Sequence, residues 1–358
     1  PVLLANIQVH PINRRPIHVD LFADRMTEEL TVEVKLVGTG EKIDARLYPW
    51  GWERVGFDDS AWTAAVPSVG LPGEGAGAAA AGTSAFGWAS DWQLEPRRLP
   101  MPEARPQRFA QLRRAEGVAA DDRFLHGTGD LVIPAHTRVT LLLDQGELTL
   151  GHPVLRTSGG SGARAILTYA ESLFDAQGRK GNRDEIAGKT IRGLRDEIGF
   201  DGGRDRVFQT LWLRSWRYVQ MDITTADEPL HLVDMRSQFT AYPFEQKATF
   251  SSDAAWLAKV WQLNWRSLRL SAFETFWDTP YYEQLQYAGD ARIAALLAVY
   301  QTGDGRLLRN AIEQFDGSRS FRATPPAVDA RDLSLRLQRG EASLTIEIPE
   351  GFYPGDYL

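Results

Sequence analysis

The chain has 358 residues, 43% hydrophobic and 24% charged, so it is long enough for two or more domains and has the composition of a folded protein. Its 40 basic and 47 acidic residues give a net charge of −7, which argues against a nucleic-acid partner, because phosphate binding needs clustered Lys and Arg. The absence of cysteine excludes disulfides, thiolate metal sites and cysteine nucleophiles.

The remaining composition indicates no cofactor and no metal. The six histidines are scattered, with no pair at the spacing of helical metal ligands. No apolar run is long enough to predict a membrane span. The first residue is Pro1, so a signal peptide could already have been removed, and the localisation and oligomeric state are left open. Eleven tryptophans are typical of sugar-binding clefts, but also of large β-sandwich cores.

Residues 1 to about 245 are predicted to be mostly β-strand. Strand patterns occur in LTVEVKLVG (30–38), TRVTLLLDQGELTLGHPVLRTS (137–158) and ARAILTYAESL (163–173), separated by Gly, Asp and Asn turns. Within the second of these, DQGELTLG predicts a strand, a tight turn and another strand. The Gly- and Ala-rich piece Gly70–Gly87 predicts a flexible surface loop, because glycine destabilises helices.

At Ser251 the pattern becomes helical. The first helix begins at a Ser-Ser-Asp capping signal and has one face made of Leu257, Val260, Trp261, Asn264 and Leu268. The second helix, ARIAALLAVYQTGD, ends at Gly303 and carries Ile293, Leu296, Leu297 and Tyr300. A third helix begins in GRLLRNAIEQF, and SLRLQRGEASLTIEIPEG (334–351) predicts a strand hairpin. The change from strands to helices predicts a domain boundary near residues 245–250.

The segment WDTPYYEQLQYAGD (Trp277–Asp290) combines three carboxylates with aromatic and amide side chains and contains no basic residue. Carboxylates that share an aromatic cleft cannot all ionise easily, and a carboxylic acid that stays protonated is what a glycosidase needs. A helix that begins at Pro280 would place Glu283 and Asp290 on one face. Two alternatives remain open: a solvated acidic helix face, and a Ca²⁺ or Mg²⁺ site, although the EF-hand spacing is absent.

The stretch DTPYYEQLQYAGDARI resembles the signature of the bacterial α-L-rhamnosidases of glycoside hydrolase family 78. In that family a D-C-P stretch is followed, at this spacing, by an acidic residue and a G-D pair; here Thr279 replaces the cysteine. Upstream, LTYAESLFDAQGRKGNRDEIAGK and FQTLWLRSWRYVQMDITTADEPLHL are similar to the family's β-sandwich. The segment Trp52–Trp62 (WERVGFDDSAW) resembles a sugar-binding jelly roll, so the resemblance covers about residues 45–316.

The resemblance implies a multidomain β + α protein. An N-terminal, jelly-roll-like β-sandwich region would be followed by a helical segment that resembles the start of an (α/α)6 barrel. The implied domains are a sugar-binding-type jelly roll at 1–130, a second β-sandwich or linker domain at 131–248, and the start of the catalytic domain at 249–316. Residues 317–358 would form a divergent, strand-like tail.

The implied activity is an inverting glycoside hydrolase that releases terminal α-L-rhamnose from plant-type glycans or rhamnosides. Glu283 takes the position of the general acid, while Asp278 and Asp290 take those of acids that hold the rhamnose hydroxyls. The neighbouring aromatic residues Tyr282, Tyr287 and Trp277 are candidates to wall the sugar, or else belong to the core. The partner would be a carbohydrate, and a bacterial periplasmic or extracellular location is favoured.

An inverting enzyme needs a second carboxylate, the general base, roughly 6.5–9.5 Å from the acid. In the family it lies far downstream, but only residues 284–358 follow Glu283, too few for the other helices of a six-hairpin barrel. The base is therefore not assigned to any of Glu313, Glu341, Glu347 and Glu350, and the chain is expected to be truncated or rearranged after about Asp316. The alternatives are a catalytically inactive carbohydrate-binding β-sandwich protein and a structural or adhesive protein.

Overall fold

The structure is a computed structural model that describes residues 40–63 and 97–316. The strand predicted at 30–38, the loop at Gly70–Gly87 and the C-terminal hairpin lie outside the described residues. The described chain divides into two compact units. The sheet unit comprises residues 40–63, 103–241 and 280–283, and the helical unit comprises residues 97–102, 242–279 and 284–316.

Ten strands of the described residues form one hydrogen-bonded sheet in the sheet unit, and this confirms the predicted β region. The strands are β1 (Lys42–Asp44), β2 (Glu103–Arg108), β3 (Gln111–Glu116), β4 (Leu131–Ile133), β5 (Arg138–Gly159), β6 (Arg164–Ala170), β7 (Leu194–Gly199), β8 (Gly202–Gln209), β9 (Arg214–Thr224) and β10 (Leu230–Ala241). The main order is β1-β7-β6-β9-β5-β10-β2, so strands from before and after residue 130 share the sheet. Residues 45–63, which include Trp52–Trp62, form turns and bends.

The tight turn predicted in DQGELTLG is wrong, because β5 continues through this segment as one strand of 22 residues. Its register against β9 shifts between Asp144 and Thr149, and Gly146 has a φ of 85°. The Gly146 amide donates a hydrogen bond to the Asp144 carboxylate at 2.8 Å. The turn signal in the sequence therefore produces a bulge that bends a continuous strand.

The core of the sheet unit is built around Trp216, whose side chain is fully buried. Its ring centroid lies 6.2 Å from that of Phe109 and 5.9 Å from that of Tyr169. Strand β7 alternates buried and exposed residues, which directs Asp196 inward, where it is paired with Arg214 at 2.6 Å. Burying a charge is tolerated only when the charge is paired, as it is here.

Four helices occur in the described residues: α1 (Arg123–His126), α2 (Ala255–Leu270), α3 (Ala288–Thr302) and α4 (Arg306–Asp316). The last three confirm the predicted change to helix after residue 245. The predicted side-chain cap of α2 is wrong, because the helix begins at Ala255 with no capping side chain. Its predicted apolar face is only partly buried: Leu268 is 4% exposed, whereas Val260 is 38% exposed and Asn264 is exposed.

Helix α3 ends as predicted at Gly303, which has a left-handed conformation and donates its amide to Val299 O. The residues that α3 buries are not the large apolar ones. Ile293 and Tyr300 are 63% and 65% exposed, whereas the core of the helical unit is lined by Ala291, Ala295 and Ala298 together with Leu307, Leu308 and Ala311.

Candidate functional site

The candidate site lies on the connection between α2 and α3, residues 271–287. Short backbone contacts hold the start of this connection. Ala272 and Phe276 form an isolated bridge, and the Trp277 amide donates to Ser271 O at 2.8 Å. The chain thus folds back on itself immediately before the first acidic residue.

Asp278 closes a loop with Leu285. The Asp278 amide donates to Leu285 O at 2.9 Å, and the Leu285 amide donates to Asp278 Oδ1 at 3.2 Å. Within this loop, the Gln284 amide donates to Thr279 O at 3.0 Å, and Gln284 adopts a positive φ of 53°. One carboxylate oxygen of Asp278 is therefore committed to shaping the loop.

The prediction that a helix starts at Pro280 is wrong. Residues 280–287 form turns and irregular backbone, and α3 begins only at Ala288. The physical reason is the pairing of Asp278 with Leu285, which closes the backbone into a loop instead of a helical turn. Glu283 consequently does not share a helix face with Asp290.

The acid-bearing segment, Pro280–Glu283, has its contacts in the sheet unit, although the chain on both sides of it belongs to the helical unit. Tyr281 is 2% exposed and packs in the core cluster of the sheet unit. Its hydroxyl donates to Tyr169 O at 2.7 Å and accepts the Leu194 amide at 3.2 Å. Burial raises the pKa of the Tyr281 hydroxyl well above its usual value, so the group stays neutral.

Tyr282 is half-buried beside Tyr281. The two rings meet edge to face, with centroids 4.6 Å apart. Lys180 Nζ lies 5.9 Å from the Tyr282 ring centroid and 3.7 Å from Glu171 Oε2. Burial, reinforced by the charge of Glu171, raises the pKa of Tyr282. One of the three residues predicted to wall the sugar, Tyr282, thus has a lysine at the outer limit of a cation–π interaction.

The other predicted site residues lie in the helical unit, except for Glu283. Trp277 is 5% exposed and contacts Phe273, with ring centroids 5.6 Å apart. Tyr287 immediately precedes α3, and its carbonyl accepts the Ala291 amide. Asp290 is exposed in the first turn of α3, where the helix dipole stabilises a negative charge. Glu283 is half-buried and belongs, with Tyr281 and Tyr282, to the sheet unit.

Two contributors to this arrangement, Tyr281 and Gly193, were not predicted from the sequence. Tyr281 lies 87 residues from Leu194 and 112 from Tyr169 in the sequence, and no local pattern predicts such pairing. Gly193 precedes β7 and has no distinguishing neighbours in the sequence. The one available signal was the placement of two tyrosines directly before the acid.

The part of the chain that the structure describes contains neither a metal-binding cluster nor a membrane-spanning helix. No group of three or more His, Asp or Glu side chains in these residues is arranged to hold a metal ion. None of the described helices is both long and apolar enough to cross a bilayer.

Residues 245–330 match the profile of the family described as the bacterial alpha-L-rhamnosidase six-hairpin glycosidase domain. This confirms the resemblance inferred from DTPYYEQLQYAGDARI, which lies inside the matched range. No protein of curated function matches the chain significantly.

Solved rhamnosidases are similar to the chain at low identity. The enzyme from Klebsiella oxytoca with rhamnose bound is 15% identical (TM-score 0.47), with 61% of this chain and 45% of that chain covered. The Aspergillus terreus enzyme is 18% identical (TM-score 0.48), with 77% of this chain and 27% of that chain covered. The Dictyoglumus thermophilum enzyme is 16% identical (TM-score 0.49), with 77% of this chain and 26% of that chain covered. The chain therefore spans less than half of the length of each of these proteins.

Proposed function

We propose that this chain is an inverting α-L-rhamnosidase, a glycoside hydrolase that releases terminal α-L-rhamnose from plant-type glycans or rhamnosides, with Glu283 as its general acid. The observation that carries the proposal is the family match over residues 245–330, because this range contains the candidate acids Asp278, Glu283 and Asp290. The β-rich region would be the β-sandwich part, and α2–α4 would begin an (α/α)6 barrel.

In this mechanism Glu283 protonates the glycosidic oxygen as the bond to the anomeric carbon breaks. Glu283 as a residue is half-buried and directly follows Tyr282, so it is partly shielded from water, which would otherwise compete for the proton. Asp278 and Asp290 accept hydrogen bonds from rhamnose hydroxyls. Trp277, Tyr282 and Tyr287 are proposed to line the sugar.

Inversion also needs a carboxylate that activates water on the opposite face of the sugar. In the described chain after Glu283 the only glutamate is Glu313, and it forms an ion pair with Arg98 at 3.0 Å. Glu341, Glu347 and Glu350 lie outside the described residues. This favours a second candidate function, a carbohydrate-binding protein without turnover.

The test of the acid role compares two rhamnosides in the Glu283→Gln variant. Glu283→Gln is expected to lower kcat/KM about 100-fold or more on an alkyl rhamnoside, whose leaving group needs protonation. The loss on p-nitrophenyl α-L-rhamnopyranoside should be much smaller, because nitrophenolate leaves without a proton. Glu313→Gln is the matched control and should change neither rate. Equal losses on both substrates would remove Glu283 from the acid role.

Calorimetric titration with rhamnose separates the two candidate functions. Turnover by the unmodified chain supports the hydrolase, and binding without turnover supports the binding protein. If the chain neither binds nor hydrolyses, both candidates are wrong.

A further inference from the structure

We infer that Tyr281 is a positioning residue, which docks the acid-bearing segment Pro280–Glu283 onto the end of the β6–β7 ladder and thereby holds Glu283 in place. The assignment of a role to Glu283 rests on the proposed function. The docking contact itself depends only on residues of the sheet unit.

The Tyr281 hydroxyl lies next to the last residue pair of the β6–β7 ladder. Tyr169 and Leu194 are the final cross-strand pair between β6 and β7. At this pair, the Tyr169 carbonyl accepts the Tyr281 hydroxyl proton at 2.7 Å and the Leu194 amide donates to the hydroxyl oxygen at 3.2 Å. A single side-chain oxygen thus forms hydrogen bonds with two buried backbone groups, where the loss of a hydrogen bond is costly.

Gly193 provides the space for this contact. A Cβ atom added to Gly193 would lie 1.7 Å from Tyr169 O and 2.5 Å from the Tyr281 hydroxyl. Both distances are far shorter than any non-bonded contact, and one of the two atoms belongs to the backbone. Only glycine therefore allows the chain before β7 to pass the docked tyrosine.

The neighbouring tyrosine supplies a second attachment. Tyr282 packs edge to face on Tyr281, and Lys180 approaches its ring to 5.9 Å, at the limit of a cation–π contact. Glu171 holds the Lys180 ammonium at 3.7 Å. Two consecutive residues are thus fixed immediately before Glu283, and a chain of two residues reaches at most about 7 Å. The position of the acid is accordingly set by the sheet.

The docking contact is tested by amide hydrogen exchange in the Tyr281→Phe variant. Phenylalanine keeps the ring but removes the hydroxyl, so exchange of the Leu194 amide is expected to accelerate about tenfold. Tyr218→Phe is the matched control, because Tyr218 is also buried and donates its hydroxyl to a backbone carbonyl, that of Arg183, at 2.6 Å. Tyr218→Phe should leave the exchange rate of the Leu194 amide unchanged. If the Leu194 amide exchanges at the wild-type rate in Tyr281→Phe, the proposed docking contact of Tyr281 is wrong.

The positioning role is tested by the dependence of the rate on the leaving group. Tyr281→Phe is expected to lower kcat about tenfold more on an alkyl rhamnoside than on p-nitrophenyl α-L-rhamnopyranoside, because only the former needs a well-placed acid. KM should change little. Tyr218→Phe should affect both substrates alike, as a loss of stability alone would. Equal losses in Tyr281→Phe would overturn the positioning role.

The two tests fail independently. If the unmodified chain hydrolyses no rhamnoside while Tyr281→Phe still accelerates exchange of the Leu194 amide, the proposed function is wrong and the docking contact of Tyr281 is supported. If the chain is active and Glu283→Gln behaves as an acid variant, but Tyr281→Phe alters neither exchange nor leaving-group dependence, the further inference is wrong and the proposed function stands.

Discussion

At the scale of single residues, the Tyr281 hydroxyl and the glycine at position 193 determine how the acid-bearing segment packs. The Tyr281 hydroxyl oxygen forms hydrogen bonds with the sheet. Gly193 leaves room for it, because a Cβ atom at this position would collide with the hydroxyl. Asp278 likewise uses one carboxylate oxygen to close the loop against the Leu285 amide. An asparagine at position 278 could still accept the Leu285 amide, so the charge of Asp278 and this loop contact are separable by mutation.

Gly193→Ala is predicted to destabilise the protein by about 3 kcal/mol, because the added methyl group collides with the backbone oxygen of Tyr169. Urea denaturation measures the loss as a lower midpoint at an unchanged slope. Gly289→Ala is the control: Gly289 lies in α3, has a negative φ and has nothing within 4 Å of an added Cβ, so the change should be neutral or slightly stabilising. A loss below about 0.5 kcal/mol in Gly193→Ala would contradict the close approach.

Asp278→Asn is predicted to weaken rhamnose binding while leaving the fold unchanged. The Asn side-chain oxygen can still accept the Leu285 amide at the position of Asp278 Oδ1, so we expect the loop to close as before while the negative charge proposed to bind the sugar hydroxyls is removed. We expect affinity to fall about tenfold, as for the loss of one charge-assisted hydrogen bond. Calorimetry measures the affinity, and urea denaturation serves as the control. Unaltered affinity would remove Asp278 from the sugar site.

At the scale of secondary-structure elements, the start of α4 shows how a carboxylate stabilises a helix. Asp304 accepts the Arg306 backbone amide at 3.0 Å and also binds the Arg306 guanidinium. Its other contact is the buried Tyr242 hydroxyl at 3.1 Å. Burial opposes ionisation of Asp304, but the hydrogen bonds and charge of Arg306 outweigh it and hold the pKa below the ordinary value of 3.8.

This lowered pKa predicts a pH dependence. The ionised Asp304 stabilises the fold at every pH above 3.8, and the contribution is lost as the pH falls through the lower folded-state value. Asp304→Asn should therefore be less stable at pH 7 by up to about 1 kcal/mol, since the half-exposed Arg306 is partly screened. The difference should shrink as the pH is lowered below 3.8, so the variant is compared with the wild type at pH 7 and again in strong acid. Urea denaturation at both pH values decides this, and a constant difference would contradict it.

The elements also show where sequence patterns succeed. Gly303 was predicted to end α3 and does, because a left-handed terminal residue depends only on local backbone geometry. The helix predicted from Pro280 and the turn predicted in DQGELTLG were wrong for a common reason. In both places a local signal was overridden by pairing, of Asp278 with Leu285 in the loop and of β5 with its neighbouring strands.

At the scale of the whole molecule, the signature DTPYYEQLQYAGDARI located the candidate acids, but it did not predict which unit holds them. The boundary predicted near residues 245–250 separates sheet from helix along the sequence. The packing does not follow this order, because Pro280–Glu283 returns to the sheet unit. Hydrogen bonds between residues 87 and 112 positions apart depend on the complete sheet and cannot be found from local periodicity.

This organisation predicts that the acid-bearing segment unfolds with the sheet. Trp216→Ala removes the centre of the sheet-unit core and should cost about 3–5 kcal/mol. Native-state hydrogen exchange should then accelerate together at β6, β7 and Tyr281, while the buried turns of α3 around Ala295 keep their wild-type rates. Ala295→Gly provides the converse perturbation, in the core of the helical unit. Exchange at Tyr281 that follows α3 would contradict the assignment.

The return of four residues to the sheet has a consequence for how such chains can recombine during evolution. A gene fusion that joined residues 245–330 to an unrelated partner would transfer the complete signature, Asp278, Glu283 and Asp290 included. It would leave behind Tyr169, Gly193 and Leu194, which receive the Tyr281 hydroxyl. We therefore expect residues 245–330 and the sheet residues that contact Tyr281 to be exchanged together.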